Sequence, residues 1–373
     1  MPERPQFLFV TCQIGAERAV KGELAREWPE FRPAFSRPGF LTFKLPENHH
    51  LYGDFDLRSV FARSYGFSLG TAQGDGLDEL ARSVWEIYGQ RPLRRIHVWQ
   101  RDLAAPGEHD DEVSIPPAPS LISSNVEARD AIRRYCPRPD VLAADADDPR
   151  QPGRRGEFVM DCILVEPGRW CVGYHRVKEV PSCWPGGIMP LELPTEAVSR
   201  AWLKMEEALR WSEFPVAKGA RWAEIGSAPG GSSQALLQRG MEVIGIDPAE
   251  MDPGVLEHPM FTHVRRRAVA VRRRQFRKTR WLAADMNVAP GCTLDAVEEI
   301  VTHREVNVRG LLLTLKLPDW KLAEQLPEYI DRVRGWGYNV VRGRQLVHNR
   351  QEVCVAAQQQ PFRRKSSSGR VGG

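Results

Sequence analysis

Residues 220–247 read ARWAEIGSAPGGSSQALLQRGMEVIGID. An apolar run (222–225) leads into a turn of small residues, Gly226-Ser227-Ala228-Pro229-Gly230-Gly231. A segment able to form a helix (232–239) follows, and a second apolar run (243–246) ends on a carboxylate, Asp247. Strand, glycine turn, helix, strand and acid in this order predict the nucleotide-cofactor half of a doubly wound α/β fold. The glycines let the backbone approach a ligand closely, and Asp247 can accept hydrogen bonds from ribose hydroxyls.

The alternation continues beyond this unit. A strand is expected at Phe261–Val264, then WLAAD ending on Asp285, a helix in LDAVEEIVTHRE, the apolar strand LLLTLK ending on Lys316, and a helix closed by Gly337. NVVRGRQLVH and EVCVAAQQ read as a closing hairpin, and SRAWLKMEEALRW as an amphipathic helix ahead of the whole unit. The pattern predicts a Rossmann-like domain over residues 191–360, its mainly parallel sheet covered by helices on both faces and finished by an antiparallel strand. Upstream, residues 1–100 read as a small ferredoxin-like α/β module, with helices expected at 56–62 and 77–87. Residues 101–190 combine a strand hairpin about a Pro-Gly turn with two stretches (106–120 and 144–157) rich in Pro, Asp and Gly, expected as disordered insertions. The tail, 361–373, is basic and expected to be disordered.

The turn G-S-A-P-G-G has neither the G-x-G-x-x-G spacing of a nicotinamide or flavin site nor the G-K-[ST] ending of a phosphate-gripping loop. A proline followed by two glycines would hold the backbone rigid beside an amino-acid-like ligand. With Asp247 and Asp285 on the carboxyl edge of one sheet, the turn favours S-adenosylmethionine, bound by Gly226, Ser227, Ala228, Pro229, Gly230, Gly231, Ser232, Asp247 and Asp285.

Seven scattered cysteines, none in a C-x-x-C pair, argue against a disulfide framework and against zinc. His49, His50 and His97 lack partners at ligand spacing, so no metal is expected. No apolar run has the ~20 residues of a membrane helix, and the N-terminal segment has too short an apolar core for a secretory signal, which makes the cytoplasm the expected compartment. The net charge is only +4, but residues 265–280 read RRRAVAVRRRQFRKTR. Arg265, Arg266, Arg267, Arg272, Arg273 and Arg274 are therefore candidates for phosphate contact with RNA, a solvated basic face being the bland alternative.

The stretch 224–234, EIGSAPGGSSQ, resembles the cofactor loop of the FtsJ-type ribose 2′-O-methyltransferases, and the likeness runs over residues 199–358. Lys204 in SRAWLKMEEA, Asp285 in WLAADMN, Lys316 in LLTLKLP and Glu352 in QLVHNRQEVCV match, in order, the Lys-Asp-Lys-Glu tetrad of that family. The phrases SR-x-x-LK-x-EEA, LKLP and RQL-x-H-x-R-x-EV are most similar to the RlmM branch, which methylates a cytidine ribose of 23S ribosomal RNA. That resemblance implies an S-adenosylmethionine-dependent RNA 2′-O-methyltransferase, with residues 101–190 as the THUMP-like, RNA-binding part of the N-terminal arm. Its partner would be ribosomal RNA or a pre-ribosomal particle.

In that reading Lys316 is the candidate general base, Lys204 the neighbouring cation that would lower its pKa, and Asp285 and Glu352 the groups that orient both ammoniums. The same carboxylates would raise the pKa of Lys316 if they stood too close. Two departures from the branch are visible. No acid follows the third strand, where Arg265-Arg266-Arg267-Ala268-Val269 stands, and Ser232 replaces the aromatic that often follows the two glycines. The alternative is a non-catalytic RNA-binding or ribosome-assembly factor that retains the fold.

Overall fold

The fold is given by a computed structural model, which describes residues 4–103, 122–146 and 151–359. The expected insertion at 106–120, part of that at 144–157, and the basic tail fall outside the described residues. The chain builds two seven-stranded sheets. The first takes β1 (Phe7–Thr11), β2 (Arg32–Arg37), β3 (Phe40–Lys44), β4 (Ser64–Gln73), β5 (Arg95–Gln100), β6 (Phe158–Glu166) and β7 (Arg169–Arg176) in the order β2-β3-β1-β4-β7-β6-β5. All its pairs are antiparallel except β5 with β6. Helix α1 (Glu17–Glu27) lies between β1 and β2 in sequence, α2 (Leu77–Tyr88) follows β4, and α3 (Ser123–Arg134) packs on α2 and β5. This one sheet draws strands from both sides of residue 100.

The second sheet follows α4 (Ala201–Ser212). Its members are β8 (Arg221–Ile225), β9 (Glu242–Ile246), β10 (Phe261–Val264), β11 (Trp281–Asp285), β12 (Gly310–Lys316), β13 (Val340–Arg344) and β14 (Glu352–Gln358). The order is β10-β9-β8-β11-β12-β14-β13, parallel from β10 to β12, with β14 inserted antiparallel beside β12. Helices α5 (Gly231–Gln238), α6 (Pro253–Leu256), α7 (Pro290–Val301) and α8 (Leu326–Gly335) make the crossovers. This is the doubly wound domain that the sequence predicts. Its central strands need no polar face, and the leucine run of β12 (Leu311, Leu312, Leu313, Leu315) is almost wholly buried.

One local expectation fails, and one strand goes unpredicted, for physical reasons. Residues 56–62 are irregular, not helical. The buried carboxylate of Glu23 on α1 takes the Ser59 hydroxyl at 2.5 Å and the amides of Val60 at 3.0 Å and Phe61 at 3.4 Å, bonds that replace those of a helix. Strand β4, SYGFSLGTAQ, carries two glycines and escapes notice as a strand. Gly66 is required there, since an added Cβ would lie 2.6 Å from the Tyr174 carbonyl oxygen and 2.9 Å from the Phe9 ring.

The two sheets do not stand apart. One apolar cluster contains Leu8, Leu24, Leu57 and Phe61 from the first lobe and Leu313, Leu326, Val333 and Val353 from the second. Polar bonds reinforce the seam: the Gln345 amide donates to the Val60 carbonyl at 2.8 Å, and Arg344 donates to the Arg63 carbonyl at 2.6 Å while pairing with Glu179 at 3.0 Å. Phe61, 1% exposed, meets Trp320 edge-on with ring centroids 5.8 Å apart.

A shared core makes the lobes one cooperative unit. Phe61→Ala should destabilise the protein by about 3–5 kcal/mol and shift a single denaturant transition as a whole. Two resolved transitions, one of them at the wild-type midpoint, would contradict that unity.

Candidate active site

Four side chains from four separated elements meet at the carboxyl edge of the second sheet. Lys204 stands on α4, Asp285 ends β11, Lys316 ends β12 and Glu352 begins β14. The register that pairs β12 with β14 sets Lys316 directly opposite Glu352, and the parallel neighbour β11 delivers Asp285 alongside. The ammonium of Lys204 lies 2.6 Å from Glu352 Oε2 and 3.5 Å from Asp285 Oδ2. That of Lys316 lies 2.5 Å from Glu352 Oε1 and 3.1 Å from Asp285 Oδ1. The last of these is an ion pair without hydrogen-bond alignment, which leaves Asp285 Oδ1 without a hydrogen bond. Two cations and two anions thus alternate around a ring.

Burial alone would lower the Lys316 pKa, but Asp285 and Glu352 outweigh it and hold the group above its ordinary value. Burial likewise works to raise Glu352, and the two lysines reverse the sign, so its carboxyl stays below the usual range. In this state Lys316 is an ammonium and a hydrogen-bond donor. It becomes a base only after losing a proton that both carboxylates retain.

The glycine turn precedes α5, so its backbone amides face the space beyond the sheet edge. Gly226 sits at φ +79° against the Asp285 carbonyl, where any Cβ would collide with that oxygen. Gly230, at φ +125°, has room for no Cβ because Val255 would be 2.9 Å away. Asp247 receives the Ala228 amide at 3.2 Å on one oxygen and the Ala249 amide at 2.8 Å on the other, tying the turn to the end of β9. Each oxygen keeps a second lone pair for a hydroxyl. The hydroxyls of Ser227 and Ser232 point inward, to Met251 Sδ at 3.6 Å and to the Ala201 carbonyl at 3.3 Å, so backbone groups alone represent these residues at the turn. Amide donors at a helix start and carboxylates at the ends of β9 and β11, the strands on either side of β8, suit a ligand that carries both an amino-acid end and a ribose.

Several neighbours were not visible as site residues in the sequence. Glu224, fully buried in β8, is pushed up to about 8 by burial and bonds the Ser233 hydroxyl. The signal for it was a carboxylate inside the apolar run WAEI. The loop from 345 to 351, which carries the chain into Glu352, is held from two sides. Glu207 on α4 accepts the Val347 and His348 amides, each at 2.9 Å. Gln13, after β1, donates to the Val347 carbonyl at 3.3 Å and to that of Asn349, whose own amide group reaches Glu352 at 3.2 Å.

The candidate RNA arginines divide. Arg265 pairs with Glu250 at 3.2 Å and Arg273 with Glu299 at 2.7 Å. Arg266, Arg267, Arg272 and Arg274 are exposed and have no ion pair among the described residues. Ala268, Val271 and Phe276 anchor the segment to the core. His97, expected to be an ordinary histidine, is fully buried beside Asp161 and His175, with ligand atoms within 4.8 Å of one another. His175 Nδ1 lies 2.6 Å from Asp161 and Nε2 2.9 Å from the Ser182 carbonyl. Burial opposes its charge, yet Asp161 outweighs it and raises the pKa. Burial lifts the Asp161 carboxyl as well, and both His175 ring nitrogens are engaged by oxygen partners.

A family model described as FtsJ-like methyltransferase matches residues 197–310. The ribosomal RNA large subunit methyltransferase M of Laribacter hongkongensis is 32% identical over 369 residues, which cover 94% of this chain and 95% of that protein. The protein of the same name from Xanthomonas oryzae pv. oryzae is 27% identical over 371 residues, 94% of this chain and 98% of its own length. That of Halorhodospira halophila is 32% identical over 188 residues, 49% of this chain and 53% of the relative.

Glu224 supplies a test of the site's electrostatics. With a pKa raised above the ~4.3 of an unfolded glutamate, it favours the fold below that value and loses this contribution as pH climbs through about 8. The melting temperature should therefore fall between pH 5 and 8, and Glu224→Gln should flatten that fall. A variant whose pH profile is parallel to wild type would exclude a neutral Glu224.

Proposed function

The chain belongs to the ribosomal RNA large subunit methyltransferase M family, and we propose that it transfers a methyl group from S-adenosylmethionine to a ribose 2′-hydroxyl of large-subunit ribosomal RNA. The observation that carries this reading is the alternating ring of Lys204, Glu352, Lys316 and Asp285 at the carboxyl edge, one strand away from the glycine turn. When bound, S-adenosylmethionine supplies an electrophilic methyl and a neutral leaving thioether. The turn 226–231 and Asp247 would hold it through amides and carboxylate oxygens.

The acceptor site adjoins the ring. Lys316 and Glu352 line an open cavity of about 420 Å³ with Asn287, Pro318, Arg350 and Gln351, large enough for a nucleoside. There Lys316 donates a hydrogen bond to the 2′-oxygen and turns a lone pair toward the incoming methyl, which makes in-line positioning the first contribution to rate. The proton of the hydroxyl passes to Lys316 only once that lysine has released its own to the water of the open cavity. A sulfonium charge beside Asp285 works in this direction by offsetting one of the carboxylates that hold Lys316 protonated. Lys204 keeps Glu352 ionised and in place. Arg266 and Arg267 follow β10, whose end meets that of β9 at Asp247, and with Arg272 and Arg274 they supply cations for the RNA backbone.

Lys316→Ala should reduce methyl transfer to ribosomal RNA by a factor of 10² or more, the scale of a lost acid–base group, with S-adenosylmethionine affinity within about twofold of wild type. Retained turnover would remove Lys316 from the chemistry. Since Glu352 raises the Lys316 pKa, Glu352→Gln should move the rising limb of the pH–rate profile to lower pH while lowering its plateau. A limb that stays fixed would assign it to another group. Replacing Arg272 and Arg274 by Gln should weaken RNA binding and reduce the salt slope by about 1–2. An unchanged slope would return them to a solvated face.

A further inference from the structure

A cavity outside the ring lies at the seam of the two lobes. Helix α1 forms one wall, and the turn that follows β12, residues 319–324, forms the other. Its volume is about 560 Å³. Gly15, Ala19 and Gly22 face it from α1 and its approach, leaving low ground between the longer side chains of Arg18, Lys21 and Arg26. A Cβ added at Gly22 would meet nothing within 4 Å. Trp320 stands across from them, half-buried, and braced from behind by Phe61.

Four cations border the cleft: Arg18, Lys21, Arg26 and Lys321. Among the described residues, Arg18, Lys21 and Lys321 form no ion pair, and Arg26 pairs only with its neighbour Glu27. The three lining acids are Glu23, Asp319 and Glu324. Glu23 is turned into its bonds with the 59–61 segment, and Asp319 accepts the Lys321 amide at 2.9 Å. The cleft is therefore a slot with one aromatic ring and an excess of positive charge. Three residues of chain separate Trp320 from Lys316, a span of at most roughly 14 Å.

We propose that this cleft binds one nucleotide of the substrate RNA strand a short way from the methylated ribose, its base against Trp320 and its phosphate toward Arg18, Lys21 and Lys321. The inference rests on the RNA-methylating reading above. Aromatic stacking tolerates any base, and the cations read the backbone, so the slot contributes affinity and strand direction without sequence preference. Because its walls belong to different lobes, an RNA lying in it reports that both are docked.

Gly22→Leu fills the slot with a side chain that a helix accepts readily. Measured on the full chain with protein-free 23S ribosomal RNA, it should weaken RNA binding at least fivefold, with melting temperature and S-adenosylhomocysteine affinity unchanged. Trp320→Ala should weaken binding about tenfold, and Trp320→Phe should restore most of the loss, as stacking requires. Arg18→Glu combined with Lys21→Glu should also lower the salt slope. RNA carrying 4-thiouridine should cross-link to the Trp320 segment at a nucleotide near the modified ribose. Wild-type RNA affinity in Gly22→Leu at unchanged melting temperature would overturn the proposal, as it would if the cleft received a protein segment. Cross-links confined to the arginines 265–274 would overturn it too. A wild-type chain that binds the cofactor analogue but methylates no RNA would refute the reading beneath it, a result distinct from both.

Discussion

Two ammonium groups share one small volume here only because two carboxylates stand between them. Each ammonium lies within 3.5 Å of both Asp285 and Glu352, so the acids offset the repulsion between the two lysines. The alternation fixes both lysines and both acids at once, and removing any member leaves a partly buried charge uncompensated. Much of the second lobe serves this ring. The β12–β14 register sets Lys316 against Glu352, Gly226 admits the glycine turn to the Asp285 carbonyl, and α4 packs on α5 to bring Lys204 over the sheet. Glu207, one turn along α4 from Lys204, holds the loop that leads to Glu352, so a single helix supplies both a member and a support.

The first lobe takes part through packing as well as through bonds. Gln13 reaches the loop ahead of Glu352, and Val60 and Arg63 engage Gln345 and Arg344. The lobes share an apolar cluster, so their relative placement is set by close contact between side chains. The ring on the second lobe and the first-lobe residues that brace the loop leading to it are consequently held in one frame.

Much of this was legible in the sequence because it is written locally. The turn 226–231 and the acid at 247 obey a short spacing rule, and each tetrad residue sits at a strand end or in a helix whose apolar pattern is clear. What stayed hidden depends on long-range contact. The sequence around Gln13 says nothing of a partner more than 330 residues away, and Glu224 reads as an ordinary acid until its burial is known. His97, Asp161 and His175 meet through strand pairing that no ligand spacing announces. The irregular 56–62 segment shows the converse, a stretch with helical capacity whose amides are claimed by a carboxylate elsewhere. The balance of forces on Lys316 could not be read from order alone, since proximity to the acids decides its sign.

The antiparallel place of β14 has a consequence in time. In chain order it is the last strand of its sheet, yet it lies in the interior, between β12 and β13. A chain emerging from the ribosome at its N-terminus first can form β8 to β12 with a gap where β14 belongs, and β13 then has no neighbour to pair with. Glu352 is the first residue of the strand that fills this gap, so the ring of two lysines and two acids and the sheet are completed in the same step. A growing polypeptide therefore carries two lysines with only one of their two acids, and an open sheet edge, until β14 is delivered.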